Sequence, residues 1–120
     1  MIDHITLHVS DYEKSKEFFL AALAPLGYTV FKEHPGVVGL KSGGRPDFWL
    51  AGDGAGKPMH VAFSSLDRKT VDEFYAVALK AGGRDNGAPG IREQYHPDYY
   101  AAFVLDLNGN NIEAVCRKPE

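Results

Sequence analysis

An internal repeat is the feature that most constrains the fold of this chain. The segment from His4 to Gly27 aligns without a gap on the segment from His60 to Gly83, 56 residues later. Seven of the 24 aligned positions are identical, against roughly one or two expected by chance from ordinary composition. Two copies are too few for a solenoid. The repeat therefore predicts a pseudo-twofold arrangement in which two similar modules face each other.

Each copy opens with the alternation of a half-buried strand. In the first copy the polar or small residues on one face are His4, Thr6 and His8, and in the second they are His60, Ala62 and Ser64. Hydrophobic residues occupy the opposite face. We therefore expect one polar face in each module.

The periodicity then becomes helical, with apolar residues spaced at i, i+3, i+4 and i+7. It predicts helices near residues 11–24 and 67–82. Ser10 with Glu13 matches a capping box and Asp67 is a suitable N-cap. Gly27 and Gly83 are expected to end the helices.

Short strands are predicted after each helix. The candidates are Tyr28–Lys32, Val37–Leu40, Asp47–Ala51, Tyr100–Asp106 and Asn110–Cys116. Gly43-Gly44 and Asn108-Gly109 mark turns, and residues 84–99 are expected to be mostly loop with a short strand. The order β-α-β-β-β occurs twice, which predicts an α+β fold.

We expect one domain over residues 1–120, divided into modules 1–54 and 58–120. Helices should cover the outer, apolar face of each sheet. The polar faces of two curved sheets are then expected to enclose a cleft.

Composition excludes several function classes. The chain carries 13 basic and 16 acidic residues, a net charge of −3, and no basic cluster. Nucleic acid is therefore not an expected partner. No apolar run is long enough to span a membrane or resembles a secretion signal. Together with the lone Cys116, which suits a reducing compartment, this predicts a cytoplasmic protein without a membrane partner.

The polar faces suggest a metal site. His4 and His60 are related by the repeat, and Glu113 shares a strand face with Asn111 and Val115. Two imidazoles and one carboxylate converging on rigid strands suit a divalent ion with open coordination positions. An isolated histidine on a strand is more often a structural hydrogen-bonding residue, so the argument depends on all three residues together.

Three segments resemble the vicinal oxygen chelate superfamily, which includes glyoxalase I, bleomycin- and fosfomycin-resistance proteins and extradiol dioxygenases. They are DHITLHVSDYEKSKEFF, MHVAF and FVLDLNGNNIEAV, and the resemblance covers essentially the whole chain. It implies paired β-α-β-β-β modules with a divalent metal ion, Mn, Fe, Ni, Co or Zn, on the inner sheet. By motif position the implied ligands are His4, His60 and Glu113.

One position departs from the glyoxalase I pattern. Trp49 aligns with a second acidic ligand, and an indole does not coordinate a divalent ion. The departure weakens a literal glyoxalase I assignment. It leaves a His-His-Glu pattern similar to that of the dioxygenases and fosfomycin-resistance transferases.

Other residues are candidates for the substrate site. Glu113 and His8 are candidate catalytic residues, although His8 could instead be a hydrogen-bonded residue of the inner face. Candidate substrate contacts are Thr6, Trp49, His96 and Tyr100; His96 could equally lie in an exposed loop and Trp49 in the core. Strand parity predicts that Cys116 is a buried, inert thiol.

Two classes of function remain open. The first is a metal-dependent enzyme that binds neighbouring oxygens of a small molecule; lyase, isomerase, dioxygenase and resistance transferase are not separated. The second is a non-catalytic protein that sequesters a small molecule, as bleomycin-resistance relatives do. In either case the resemblance and the small size predict a homodimer.

Overall fold

A computed structural model describes the whole chain, residues 1–120. The first half contains β1 (Ile5–His8), α1 (Tyr12–Leu23), a short 3₁₀ turn (Ala24–Leu26), β2 (Thr29–His34), β3 (Val37–Lys41) and β4 (Phe48–Ala51). The second half contains β5 (His60–Ser64), α2 (Arg68–Lys80), β6 (Arg84–Ile91), β7 (Tyr100–Leu105) and β8 (Asn111–Cys116).

The two halves have the same topology, so the α+β prediction is confirmed. The sheets run β1-β4-β3-β2 and β5-β8-β7-β6. In each sheet the first strand pairs in parallel with the last, and the remaining pairs are antiparallel. The helices begin at Tyr12 and Arg68, which are 56 residues apart as the repeat requires.

The helix ends differ in detail from the prediction. Asp67 caps α2 by accepting a hydrogen bond from the Thr70 amide, as expected. Asp11, not Ser10, caps α1. The Ser10 hydroxyl instead accepts a bond from the Asn108 side chain of the other module, so the capping box is wrong because a tertiary contact occupies Ser10.

Strand β6 is longer than the sequence suggested. Residues 84–91 form an eight-residue strand, although Gly87, Pro89 and Gly90 predicted mostly loop. The pairing with β7 shifts register on both sides of Gly87, whose φ is 147°. Because β6 is the edge of its sheet, Pro89 costs no central ladder bond, and the bulges accommodate the glycines.

One continuous core joins the two modules. Its 19 buried residues come from both helices and from the helix-facing sides of both sheets, and Cys116 is among them. The rings of Phe48 and Phe63 are 5.2 Å apart across the module boundary. The Phe18 ring lies directly against Gly83, just beyond α2.

This packing sets the direction of the polar faces. The helices cover the apolar side of each sheet, as predicted, and the opposite faces are exposed at His4, Thr6 and His8 and at His60, Ala62 and Ser64. The expected closure around a shared cleft does not occur within one chain, where the sheets remain separate. No helix has the combination of length and apolar character needed to cross a membrane.

Candidate metal and substrate site

Glu113 is a buried carboxylate on the polar face of the second module. Its side chain is 1% exposed. One oxygen, Oε1, lies 2.7 Å from His60 Nε2, and Oε2 accepts a hydrogen bond from the Tyr99 hydroxyl. No lysine or arginine forms an ion pair with Glu113. A buried charge normally requires such compensation, so the carboxylate is available to a cation.

The geometry of His60 and Glu113 suits two ligands of one ion. Donors bound at about 2.1 Å in tetrahedral or octahedral geometry are separated by about 3.0–3.4 Å. His60 Nε2 and Glu113 Oε1 would therefore need to move apart by less than about 1 Å for an ion to bind between them. His60 is half exposed, which leaves the pair open to solvent.

Tyr99 is the residue that sequence reasoning missed. It precedes β7 and is buried against Ala101 and Val115, and the Arg117 guanidinium stacks 4.8 Å from its ring centroid. Burial and the hydrogen bond to Glu113 raise the pKa of Tyr99 to about 12. The paired tyrosines at 99 and 100 are the only sequence signal, and which of them shares the face of Glu113 depends on the register between β7 and β8.

The structure does not bring His4 to His60 and Glu113 within one chain. His4 Nδ1 lies 2.7 Å from Asp3 Oδ1, and Asp3 is within 3.3 Å of Arg45. The bond to His4 lowers the pKa of Asp3. No group of three or more His, Cys, Asp or Glu side chains able to hold a metal ion forms within the chain.

Trp49 occupies the position in module one that Glu113 occupies in module two. Thr6 pairs with Trp49 across β1 and β4, and Ala62, 56 residues after Thr6, pairs with Glu113 across β5 and β8. The first module thus presents an indole where the second presents a carboxylate.

His8 has an acidic partner on the same polar face. Its Nδ1 atom lies 2.6 Å from Asp53 Oδ1, and this bond lowers the pKa of Asp53. Both side chains are more than half exposed. A histidine fixed by a carboxylate at one nitrogen leaves Nε2 free to exchange a proton with a bound molecule.

The other two candidate contacts lie elsewhere. Tyr100 pairs with Cys116 on the helix-facing side, where its hydroxyl donates to Asp72 of α2 at 2.6 Å. His96 lies in an exposed loop, and its Nδ1 accepts a bond from the Asp98 amide. Neither residue reaches Glu113 in this chain, and Tyr99 takes the inner-face place expected for Tyr100.

A groove of about 700 Å³ runs along the unpaired edge of β5. Both modules line it, through Asp3, Tyr28 and Asp47 from the first and His60 from the second. Strand β1, which follows His4 directly, and β5, which begins at His60, each pair on one side only. Both strands are therefore open to a further chain.

Comparison with known proteins identifies the family. Residues 1–114 match the Glyoxalase/Bleomycin resistance protein/Dioxygenase superfamily. The chain belongs to this superfamily. No curated protein matches the sequence.

Solved structures with a similar fold match nearly the whole chain. A glyoxalase/bleomycin resistance protein from Albidiferax ferrireducens T118 is similar with a TM-score of 0.82 and 27% identity, over 97% of this chain and 98% of that chain. A lactoylglutathione lyase from Agrobacterium tumefaciens has a TM-score of 0.72 and 19% identity, over 97% and 92%. TioX from Micromonospora sp. ML1 has a TM-score of 0.74 and 15% identity, over 98% and 99%. At such identities the last two show the shared fold alone.

Proposed function

We propose that this protein is a metal-dependent enzyme of the glyoxalase/dioxygenase type, acting on a small molecule that offers two neighbouring oxygens. The observation that carries the proposal is the His60–Glu113 pair. It joins a half-exposed imidazole to a buried carboxylate without a lysine or arginine partner. A divalent ion is the occupant that such a pair suits best.

A homodimer would complete the ligand set. The chain supplies His60 and Glu113 together but holds His4 elsewhere. Both β1, which follows His4 directly, and β5, which begins at His60, have an unpaired edge. We propose that module one of one copy lies against module two of the other. His4 of the partner subunit would then join His60 and Glu113, and each dimer would contain two such sites.

The residues of this cleft have distinct roles in the proposal. A bound ion would act as a Lewis acid toward two substrate oxygens. Glu113 and the two histidines would hold it. His8, oriented by Asp53, would exchange a proton with the substrate, while Thr6 and Trp49 would contact it. The cytoplasmic location remains a prediction, which the lone Cys116 favours.

Sequestration of a small molecule is the second candidate. The observation that favours it is Trp49, an apolar side chain at the module-one position equivalent to Glu113. A binding protein needs the cleft and its aromatic wall but no complete ligand set. The two candidates differ in whether a divalent ion binds through His4, His60 and Glu113.

Subunit complementation tests the composite metal site. His4→Ala and His60→Ala are purified separately, mixed, and allowed to exchange subunits, and Mn²⁺ and Ni²⁺ binding is measured by calorimetry. Each variant alone should bind metal at least tenfold more weakly than wild type. In the mixture about half of the dimers are heterodimers, each with one intact site, so about a quarter of the wild-type sites should return.

The exposed His34, at the end of β2, provides the matched control, and His34→Ala should bind as wild type does. Wild-type binding with no recovery in the exchanged mixture would overturn the shared site. Absence of binding of Mn, Fe, Ni, Co and Zn by wild type would overturn the enzyme proposal and leave sequestration as the better function.

A further inference from the structure

The polar face of module one carries an aromatic surface for which the metal site gives no explanation. The six-membered part of the Trp49 indole lies flat on the backbone of Gly39, so close that a Cβ at Gly39 would be 2.7 Å from two ring atoms. In module two the residue equivalent to Gly39 is Phe103, which pairs with Glu113. Glycine at position 39 therefore lets the indole lie against the sheet, and Trp49 remains partly exposed.

Phe31 forms a wall beside this indole. The two ring centroids are 6.5 Å apart with an interplanar angle of 81°, and 48% of Phe31 is exposed. A flat indole with a perpendicular ring at its side forms a corner. We call Phe31, Gly39 and Trp49 the aromatic platform.

A cation without an acidic partner lies at the edge of the platform. The Lys41 ammonium is 5.7 Å from the Phe31 ring centroid, and the side chain is partly buried. Lys41 makes no ion pair in the chain, unlike Lys16, which binds Glu33 at 2.6 Å. The position therefore combines an apolar plane with an uncompensated positive charge.

We propose that the platform binds a planar aromatic anion, which stacks on the Trp49 indole and directs its negative group toward Lys41. Offset stacking on an indole favours a flat π-system. The ammonium discriminates an anion from its neutral analogue. Binding of this anion to the platform needs no metal. The inference rests on the proposed function only in identifying the anion as the substrate of the metal cleft.

Charge favours this occupant over a purely apolar surface of another protein. Lys32 stands opposite Gly39 in the β2–β3 register, and it too makes no ion pair. An apolar partner would remove water from the ammonium groups of Lys32 and Lys41 without offering them an acidic group. Such desolvation of an unpaired charge is unfavourable. A small anion satisfies the charge and leaves the rest of the side chains hydrated.

Trp49 is the only tryptophan in the chain, so its indole N–H gives a single cross-peak in a ¹H–¹⁵N spectrum. EDTA-treated wild-type protein is titrated with 2-naphthoate, with uncharged 2-naphthalenemethanol and with the non-aromatic anion cyclohexanecarboxylate. Binding of 2-naphthoate should shift this peak to saturation. The neutral aromatic should bind about tenfold more weakly, and the aliphatic anion should leave the peak in place.

Two variants with matched controls assign the effect. Lys41→Met should lower the affinity for 2-naphthoate about tenfold without changing that for the neutral analogue, whereas Lys80→Met on the exposed side of α2 should change neither. Gly39→Ala should displace the Trp49 ring from the sheet. It should therefore weaken the binding of both 2-naphthoate and 2-naphthalenemethanol. Gly44→Ala should not, because a Cβ there meets no atom within 4 Å.

An unshifted indole peak in the presence of 2-naphthoate, or equal affinity for the charged and neutral aromatics, would overturn the platform proposal. Metal binding by the same protein, measured after the EDTA is removed, would show that the metal site does not depend on the platform. Conversely, 2-naphthoate binding by a protein that binds no divalent ion would support the platform and reject the metal-dependent enzyme. The two proposals thus fail separately.

Discussion

Glu113 combines deep burial with an incomplete set of partners. Its oxygens contact one half-exposed imidazole and one phenol, and no lysine or arginine forms an ion pair with it. This separates it from a structural carboxylate, which would hold an arginine or lysine. The difference can be measured in metal-free protein.

Glu113→Gln should lower metal affinity at least tenfold while leaving metal-free stability nearly unchanged or higher. The amide keeps an oxygen that accepts from Tyr99, and removal of the charge relieves the desolvation cost. Calorimetric metal titration and chemical denaturation in EDTA measure the two effects. A loss of about 3 kcal/mol without metal, with metal binding unchanged, would instead indicate a paired structural carboxylate.

Tyr99→Phe should remove one of the two hydrogen bonds to Glu113 and cost about 1–3 kcal/mol of unfolding free energy near neutral pH. The raised pKa of Tyr99, about 12, adds a second signature. Because the phenol ionises near 10 in the unfolded chain, its stabilisation is present below pH 10 and is lost as pH rises through 12. The variant should therefore lose less stability than wild type over that window.

Denaturation curves between pH 9 and about 12 measure this difference. Tyr95→Phe is the control, because Tyr95 is exposed and its hydroxyl has no hydrogen-bond partner. Parallel curves for wild type and Tyr99→Phe would show that Tyr99 does not bond to Glu113 in solution.

At the scale of single elements, helix caps and β-bulges set by the local sequence help to position the candidate site. The φ of 147° at Gly87 places the β6 bulge beside Phe103, and Phe103 pairs with Glu113. The N-cap of α2 influences the site indirectly. It determines the residue at which a helix of the shared core begins. Segments without candidate site residues thus help to position the side chains of the candidate site.

Asp67→Asn should keep α2 intact near pH 7, since asparagine is also a good N-cap. Hydrogen bonds from Thr70 lower the pKa of Asp67 from its ordinary value of 3.8. The ionised cap therefore stabilises the fold above about pH 4, and this contribution is lost as pH falls through the lowered value. At acidic pH the unfolding free energy of Asp67→Asn should therefore fall less steeply with decreasing pH than that of wild type.

Thermal melts from pH 7 to about 2 measure this acid limb of the stability curve. Glu93→Gln, at an exposed carboxylate without an ion-pair partner, should reproduce the wild-type profile. An acid limb of wild-type steepness in Asp67→Asn would show that the cap does not contribute to it.

For the whole molecule, the packing direction of the modules is the decisive feature. One core unites the helix-facing sides, so both polar faces are exposed, and the proposed complete cleft would require a second copy. Light scattering at micromolar concentration should give twice the 13.2 kDa chain mass. A particle of one chain mass would contradict the proposed dimer.

A bound ion should stabilise this dimer. At a thousandfold excess over its dissociation constant it would add about 4 kcal/mol, seen as a rise in melting temperature with Mn²⁺, Ni²⁺ or Zn²⁺. The rise should disappear on acidification, because imidazole ligands must be neutral to bind. A shift that persists in Glu113→Gln would place the ion elsewhere.

Local pattern was sufficient to predict most elements. The 56-residue repeat, the alternation at His4 and His60 and the helical spacing predicted both modules, and strand parity put Glu113 and Cys116 on opposite faces. These properties depend on neighbours along the chain, whose periodicity reports which face is buried. Strand β6 was underestimated because its bulges depend on pairing with β7 rather than on its own sequence.

The tertiary structure decided what meets at the site. The link from Tyr99 to Glu113, the link from His8 to Asp53 and the separation of His4 from His60 join or divide residues that are distant in sequence. So does the packing of Trp49 on Gly39, which results from the register of two antiparallel strands. The sequence alone determined which chemical groups stand on the polar faces, while the packing of the two helix-covered sheets into one core decided that both faces stay exposed instead of enclosing a cleft within one chain.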